Sequence, residues 1–149
     1  MKNKGFSLVE LIIVIAIMAI LAAAIAPALI RYIDKSRKAD DLTAGGTINS
    51  AVSAALANED AYDELQTKSG VVGAVSKDYI SGAGSAFSKE FSSNLDQKVS
   101  PKYKKESQSA FVVYETTDHK ITVMIGTSGS DTSHSDSWQM QPSIGSEYK

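Results

Sequence analysis

The chain has 149 residues, enough for one compact domain plus an anchoring segment and too few for several domains. Its formal net charge of −2 gives no global electrostatic case for nucleic-acid binding. Cysteine is absent, which excludes disulfides and thiolate metal sites alike.

The N-terminal stretch Lys4-Gly5-Phe6-Ser7-Leu8-Val9-Glu10 runs into twenty residues without a charge, Leu11 to Ile30. Twenty helical residues cover roughly 30 Å, the thickness of the hydrocarbon layer. Eleven of them are Leu, Ile or Val, each worth about −0.3 to −0.6 kcal/mol at a membrane helix centre and together roughly −5 kcal/mol. That sum outweighs Glu10, yet Glu10 remains an anomaly, because a carboxylate in mid-membrane costs about 2.5–3.5 kcal/mol. A plain anchor would be better without it. Its presence suggests a partner charge, and the nearest candidate is an amine made by cutting the chain before Phe6. Lys2 and Lys4 lie on one side of the apolar run and Arg31, Lys35, Arg37 and Lys38 on the other, so the positive-inside count is close to a tie. The competing reading is a secretory signal, since Ala24-Ile25-Ala26 has the small residues of a cleavage site. Pro27 directly after such a cut and Glu10 within the apolar run both disfavour it.

Lys4-Gly5-Phe6-Ser7-Leu8-Val9-Glu10, followed by Leu11-Ile12-Ile13-Val14-Ile15, resembles the class III signal of type IV prepilins. That signal is a short basic leader ending in Gly, then Phe, then Glu at the fifth position after the cut. The resemblance extends from Met1 to about Asp41. It implies a cytoplasmic leader (1–5), a membrane and filament-core helix (6–30), and a pilin head outside (31–149). It implies cleavage between Gly5 and Phe6 by a membrane aspartyl prepilin peptidase and N-methylation of Phe6. Glu10 would then pair with the new amine of a neighbouring subunit. Gly5 suits such cleavage, having no side chain to hold a protease off the backbone. The implied partners are identical subunits in a filament, the peptidase, an assembly ATPase and a platform protein, with the cytoplasmic membrane as host before assembly. Many Gram-negative pilins close their C-terminal region with a disulfide; a chain without cysteine cannot, which favours a Gram-positive or anaerobic source.

Phe6 to about Ala57 reads as one helix of roughly 78 Å, apolar on all sides at first and amphipathic later, with Ile48, Ala51, Val52, Ala55 and Leu56 on one face. Arg31, Asp34, Lys35, Arg37, Lys38, Asp40 and Asp41 form a charged band past the apolar run, in which Asp34 can pair with Arg37 or Lys38. Pro27 removes one backbone bond and marks a bend, or a place where the helix stretches when subunits pack. Gly45-Gly46 reads as a soft point or a close approach to a sheet. Asn58 to about Ser109 is a mixed connecting region. It holds a short helix near Asp60–Gln66 and a second with Phe87, Phe91 and Leu95 on one face, capped by Ser85. Gly70, Gly73, Gly82 and Gly84 mark turns, and Lys98 to Lys105 is a solvated loop. Phe111–Glu115 and Lys120–Ile125 form an antiparallel hairpin with a turn near Asp118-His119, and Trp138–Gln141 adds a strand before Pro142. The fold class is therefore α+β, a long N-terminal helix packed across an antiparallel sheet.

No catalytic constellation emerges, and no cofactor is expected. His119 and His134 sit in a turn and a Ser-rich loop and read as solvated. Major pseudopilins, which share the prepilin signal, bind calcium in a C-terminal loop. Asp131, Ser133 and Asp136 could offer oxygens to Ca²⁺, but their spacing matches no calcium loop and the segment reads as solvated. The resemblance thus implies a non-enzymatic type IV pilus subunit, first in the membrane and then in an extracellular filament serving adhesion, motility or aggregation. The alternatives are a pseudopilin of a type II secretion or DNA-uptake system, and a soluble surface protein behind a cleavable signal.

Overall fold

The computed structural model describes residues 5–66, 71–76, 79–80, 82–95, 99–103, 110–115, 120–126 and 139–149. The chain divides into two compact units, Met1–Ser36 and Arg37–Lys149. Helix α1, Leu8–Ala55, contributes to both and stays helical through Pro27 and through Gly45-Gly46. Its buried residues are Asp41, Gly45, Ile48, Ala51, Val52 and Ala55, all in the second unit. Their spacing of three and four residues is that of one helical face, the face expected from the apolar pattern.

The second unit is an α+β domain. After α1 come α2 (Glu59–Gln66), β1 (Val71–Ser76), β2 (Tyr79–Ile80), α3 (Ser85–Asn94), β3 (Ala110–Glu115), β4 (Ile121–Gly126), β5 (Gln139–Gln141) and a 3-10 helix at Ser146–Tyr148. The sheet has five strands in the order β2-β1-β3-β4-β5, and every pair is antiparallel. The expected hairpin is its centre, with Phe111 opposite Ile125 and Val113 opposite Val123. These four side chains lie in one core with Ile48, Val52 and Ala55 of α1 and Phe87 and Phe91 of α3. Strand residues alternate between faces, so Val112 and Met124, also directly paired, are buried as a separate cluster on the opposite face. The turn at Asp118-His119 lies outside the described residues.

Strands β1 and β2 fall where the sequence suggested only connecting chain with a turn at Gly73. Gly73 is instead inside β1, at φ 135°, where the register against β3 slips. At that φ a Cβ would be strained, so the glycine that reads as a turn marker is what lets the strand slip in register and stay paired. A second slip lies between β4 and β5, where Val123 faces Gln141 and Met124 faces Gln139. It leaves Met140 as the extra residue, fully buried in the core. A Cβ on Gly45 would lie 2.9 Å from Met140 Sδ and 3.1 Å from its Cβ, whereas one on Gly46 would meet only Gln141 Nε2 at 3.7 Å. Close packing on the sheet is thus the role of Gly45.

Two carboxylates cap backbone that is remote in sequence. Glu64 of α2 accepts the N–H groups of Ser85 (2.9 Å) and Phe87 (3.0 Å) at the start of α3. Ser85 is therefore not the cap; Gly84 holds that position without a side-chain bond. The reason is space, since a Cβ at Gly84 would lie 1.7 Å from Glu64 Cδ. Asp41, read from sequence as part of a charged band past the apolar run, is only 1% exposed. Its carboxylate accepts the N–H groups of Lys102 (2.7 Å) and Tyr103 (2.8 Å) and the hydroxyl of Tyr148 (3.4 Å). Residues 99–103 are accordingly not a solvated loop: Pro101 is buried, and Val99 and Tyr103 pack against the core. Lys98, Lys104 and Lys105 lie outside the described residues.

Burial raises the Asp41 carboxyl above the usual carboxylate range, and the bonds from Lys102, Tyr103 and Tyr148 offset part of that rise. Between the ordinary value of about 3.9 and the raised one, the folded state binds more protons than the unfolded state, so this group's contribution to stability falls as pH rises through that window. Denaturant midpoints should therefore show wild type losing stability relative to Asp41→Asn as pH rises from about 4 towards neutral. A constant difference across that range would contradict the assignment. In the same assay Gly45→Val should lower stability by about 1–3 kcal/mol through overpacking on Met140. Gly46→Ala should be neutral or stabilising by up to about 1 kcal/mol.

Candidate functional site

The first unit presents the chemistry singled out in the sequence. Every residue from Gly5 to Pro27 is exposed, including Leu11, Ile12, Ile13, Val14, Ile15 and Ile17. A helix apolar on all sides needs lipid or protein around it. Among the described residues α1 is the one helix long and apolar enough to cross a membrane.

At its start, Phe6 is 91% exposed, and a Cβ added to Gly5 would meet nothing within 4 Å. The Gly5–Phe6 peptide is open to approach. Helix α1 begins directly afterwards, because Ser7 accepts the first helical bond from Leu11 N–H at 3.2 Å. Glu10 folds back so that its Oε2 accepts the Ser7 N–H at 2.8 Å, and Ser7 Oγ accepts the Val9 N–H at 3.4 Å. This is the glutamate half of a capping box: Glu10 satisfies the Ser7 backbone donor, while Ser7 Oγ takes the N–H of Val9 rather than that of Glu10. The Ser-x-x-Glu spacing was legible in the sequence, but reading Glu10 only as an orphan charge hid it. The carboxylate is not bare: it satisfies a backbone donor, and the positive end of the helix dipole favours it there.

Capping does not exhaust Glu10. A carboxylate has about four lone-pair sites, so one bond from Ser7 leaves room for an ammonium group. Pro27 lies farther along the same exposed helix and supplies no N–H to it. Asp131, Ser133, Asp136, His119 and His134 lie outside the described residues. Among the described residues no cluster of His, Asp or Glu is arranged to hold a metal ion.

The open Gly5–Phe6 bond, the capped glutamate and most of the apolar run lie within a segment that matches a known motif. Residues 1–26 match the prokaryotic N-terminal methylation motif. That match supports a type IV pilin-like prepilin. No solved structure matches the chain. For a prepilin this motif implies processing by a peptidase, entry into pilus-type machinery, and anchoring in a membrane by the apolar helix. The family points to a structural pilin-type protein, and the α+β arrangement behind a long N-terminal helix is consistent with a pilin-like fold.

The capping box gives Glu10 a role that Gln can share and Val cannot. In detergent, Glu10→Val should speed hydrogen exchange at the Ser7 amide and fray the first turn, at a cost of about 0.5–2 kcal/mol. Glu10→Gln should leave that exchange near wild type. Equal exchange in Val and wild type would remove the cap from consideration.

Proposed function

We propose that this prepilin is a structural subunit of a type IV pilus, cut between Gly5 and Phe6, methylated on Phe6, and assembled into a helical filament whose core is the apolar helices. The observation that carries this reading is the methylation motif over residues 1–26, joined to an exposed apolar helix with a glutamate at its start. In this reading residues 1–5 are the leader, 6–30 the core helix and 31–149 the head. A pseudopilin of a secretion or DNA-uptake system shares the same N-terminal chemistry. Adhesion, motility or aggregation are the roles of the assembled filament, and an ATPase with a platform protein drives assembly.

The role of Glu10 follows from electrostatics. Cleavage creates an amine on Phe6, and packing apolar helices together removes water from both charges. An ammonium and a carboxylate attract strongly in a medium of low dielectric constant, and removing one partner of a buried pair costs about 3–5 kcal/mol. That cost recurs with every subunit added. Pro27, with no N–H to tie it to the preceding turn, is the place where α1 lengthens or bends as subunits pack.

Mass analysis of the protein from its native cell should find a chain that starts at a methylated Phe6. Gly5→Val should accumulate uncut precursor. Glu10→Val and Glu10→Gln should both be cut and stay in the membrane, yet neither should build filaments alone, because Gln restores the cap but not the charge. A native N-terminus near Pro27 would sink the proposal, and normal filaments from Glu10→Gln would sink the pairing.

A further inference from the structure

Asp41 is the first buried residue of α1, and it does not act alone. One helical turn earlier, the Lys38 ammonium donates to the carbonyl of Glu147 and sits 4.8 Å from the centre of the Tyr103 ring. The Tyr103 ring meets that of Tyr148 edge to face, with centroids 6.1 Å apart. Tyr148 O–H reaches back to Asp41, whose carboxylate also holds the Lys102 and Tyr103 amides. Asp40 pairs with the Lys102 ammonium at 2.9 Å on the outside. The contacts close a ring: Asp41 to Tyr103, Tyr103 to Tyr148, Tyr148 to Asp41, with Lys38 bridging the two tyrosine-bearing segments. Gly145, just before the 3-10 helix, donates its N–H to the Gln139 carbonyl at 2.8 Å, so the same segment is tied to edge strand β5.

We propose that Lys38 and Asp41 form a latch that joins α1 to residues 99–103 and 145–148, opens and closes as one unit, and passes tension on α1 into the sheet. Covalent continuity supplies the load path, because a pull on residues 8–36 enters the second unit along the backbone at Arg37. The first buried side chain that pull meets is Asp41. With no cysteine in the chain, these contacts do what a cross-link would otherwise do, fastening α1 to segments 61 and 107 residues away. The service to a filament under load rests on the pilus reading, whereas the latch itself is a property of the single molecule.

The test pulls single full-length chains, held in detergent, between handles at their two ends, and reads the rate of first rupture at constant force. Asp41→Ala takes the acceptor from two part-buried amides and should speed first rupture by about tenfold or more. Lys38→Met, which keeps Asp41 in place, should speed it in the same sense and decides the matter if Asp41→Ala does not fold. The double variant should be little faster than Asp41→Ala alone, as expected of members of one unit. Glu64→Gln is the control: it weakens a comparable clamp that holds the start of α3 and should leave first rupture unchanged. The latch is overturned by an equal acceleration in Glu64→Gln, by fully additive effects of the Lys38 and Asp41 variants, or by no acceleration in either. Because no filament is involved, these outcomes are independent of whether the chain assembles into a pilus.

Discussion

The second unit depends on one buried carboxylate. Asp41 sits where α1 first turns a side chain inward, and it satisfies two amides and a hydroxyl from segments far along the chain. A carboxylate taken out of water is costly unless its bonds are made, and unmaking them would strand the amides as well. Packing on the α1 face therefore starts from a fixed point. From Asp41 the buried face runs through Gly45, Ile48, Val52 and Ala55, each within a turn of the last. Burial also pushes the Tyr148 phenol upward, with the neighbouring Asp41 charge adding to the effect, so Tyr148 stays a neutral donor to that carboxylate.

Three carboxylates among the described residues, Glu10, Asp41 and Glu64, accept backbone N–H groups, and solvent separates their roles. Glu10 caps its own helix from an exposed position three residues in. Glu64 caps a different helix, at Ser85 and Phe87. Asp41 caps no helix and binds a loop. Of these three, Asp41 is the fully buried one, and there desolvation opposes the charge. Glu10 reaches such an environment only when other helices or lipid surround α1, as the proposed assembly would bring about, whereas the bonds of Asp41 belong to the fold of the single chain.

Glycines and bulges complete the packing. Met140 is turned into the core by the slip between β4 and β5, and Gly45 leaves the volume it occupies. Neither works without the other. A side chain at 45 would displace Met140, and a regular β5 would place alternate residues differently. Gly73 does the same service for β1, whose pairing with β3 survives its register slip.

The sequence by itself determined whatever is local or periodic. The apolar run, the motif around Phe6, the amphipathic face from Ile48 to Ala55, the face of Phe87 and Phe91, and the β3–β4 hairpin all announce themselves within a few residues, because helix and strand periods and the membrane's thickness act on neighbours in the chain. Even the Ser7–Glu10 capping box lay in the open as a spacing of three. Tertiary structure decided the rest. Whether Asp41 is solvated or buried depends on residues 61 and 107 positions away. Whether Gly73 turns the chain or bulges a strand depends on β3. The cap on α3 comes from Glu64 rather than the adjacent Ser85 because a side chain 21 residues away fills the site first. A polar or glycine residue carries no sign of which remote group will meet it, since its energy is set by the partner and by the water that partner excludes.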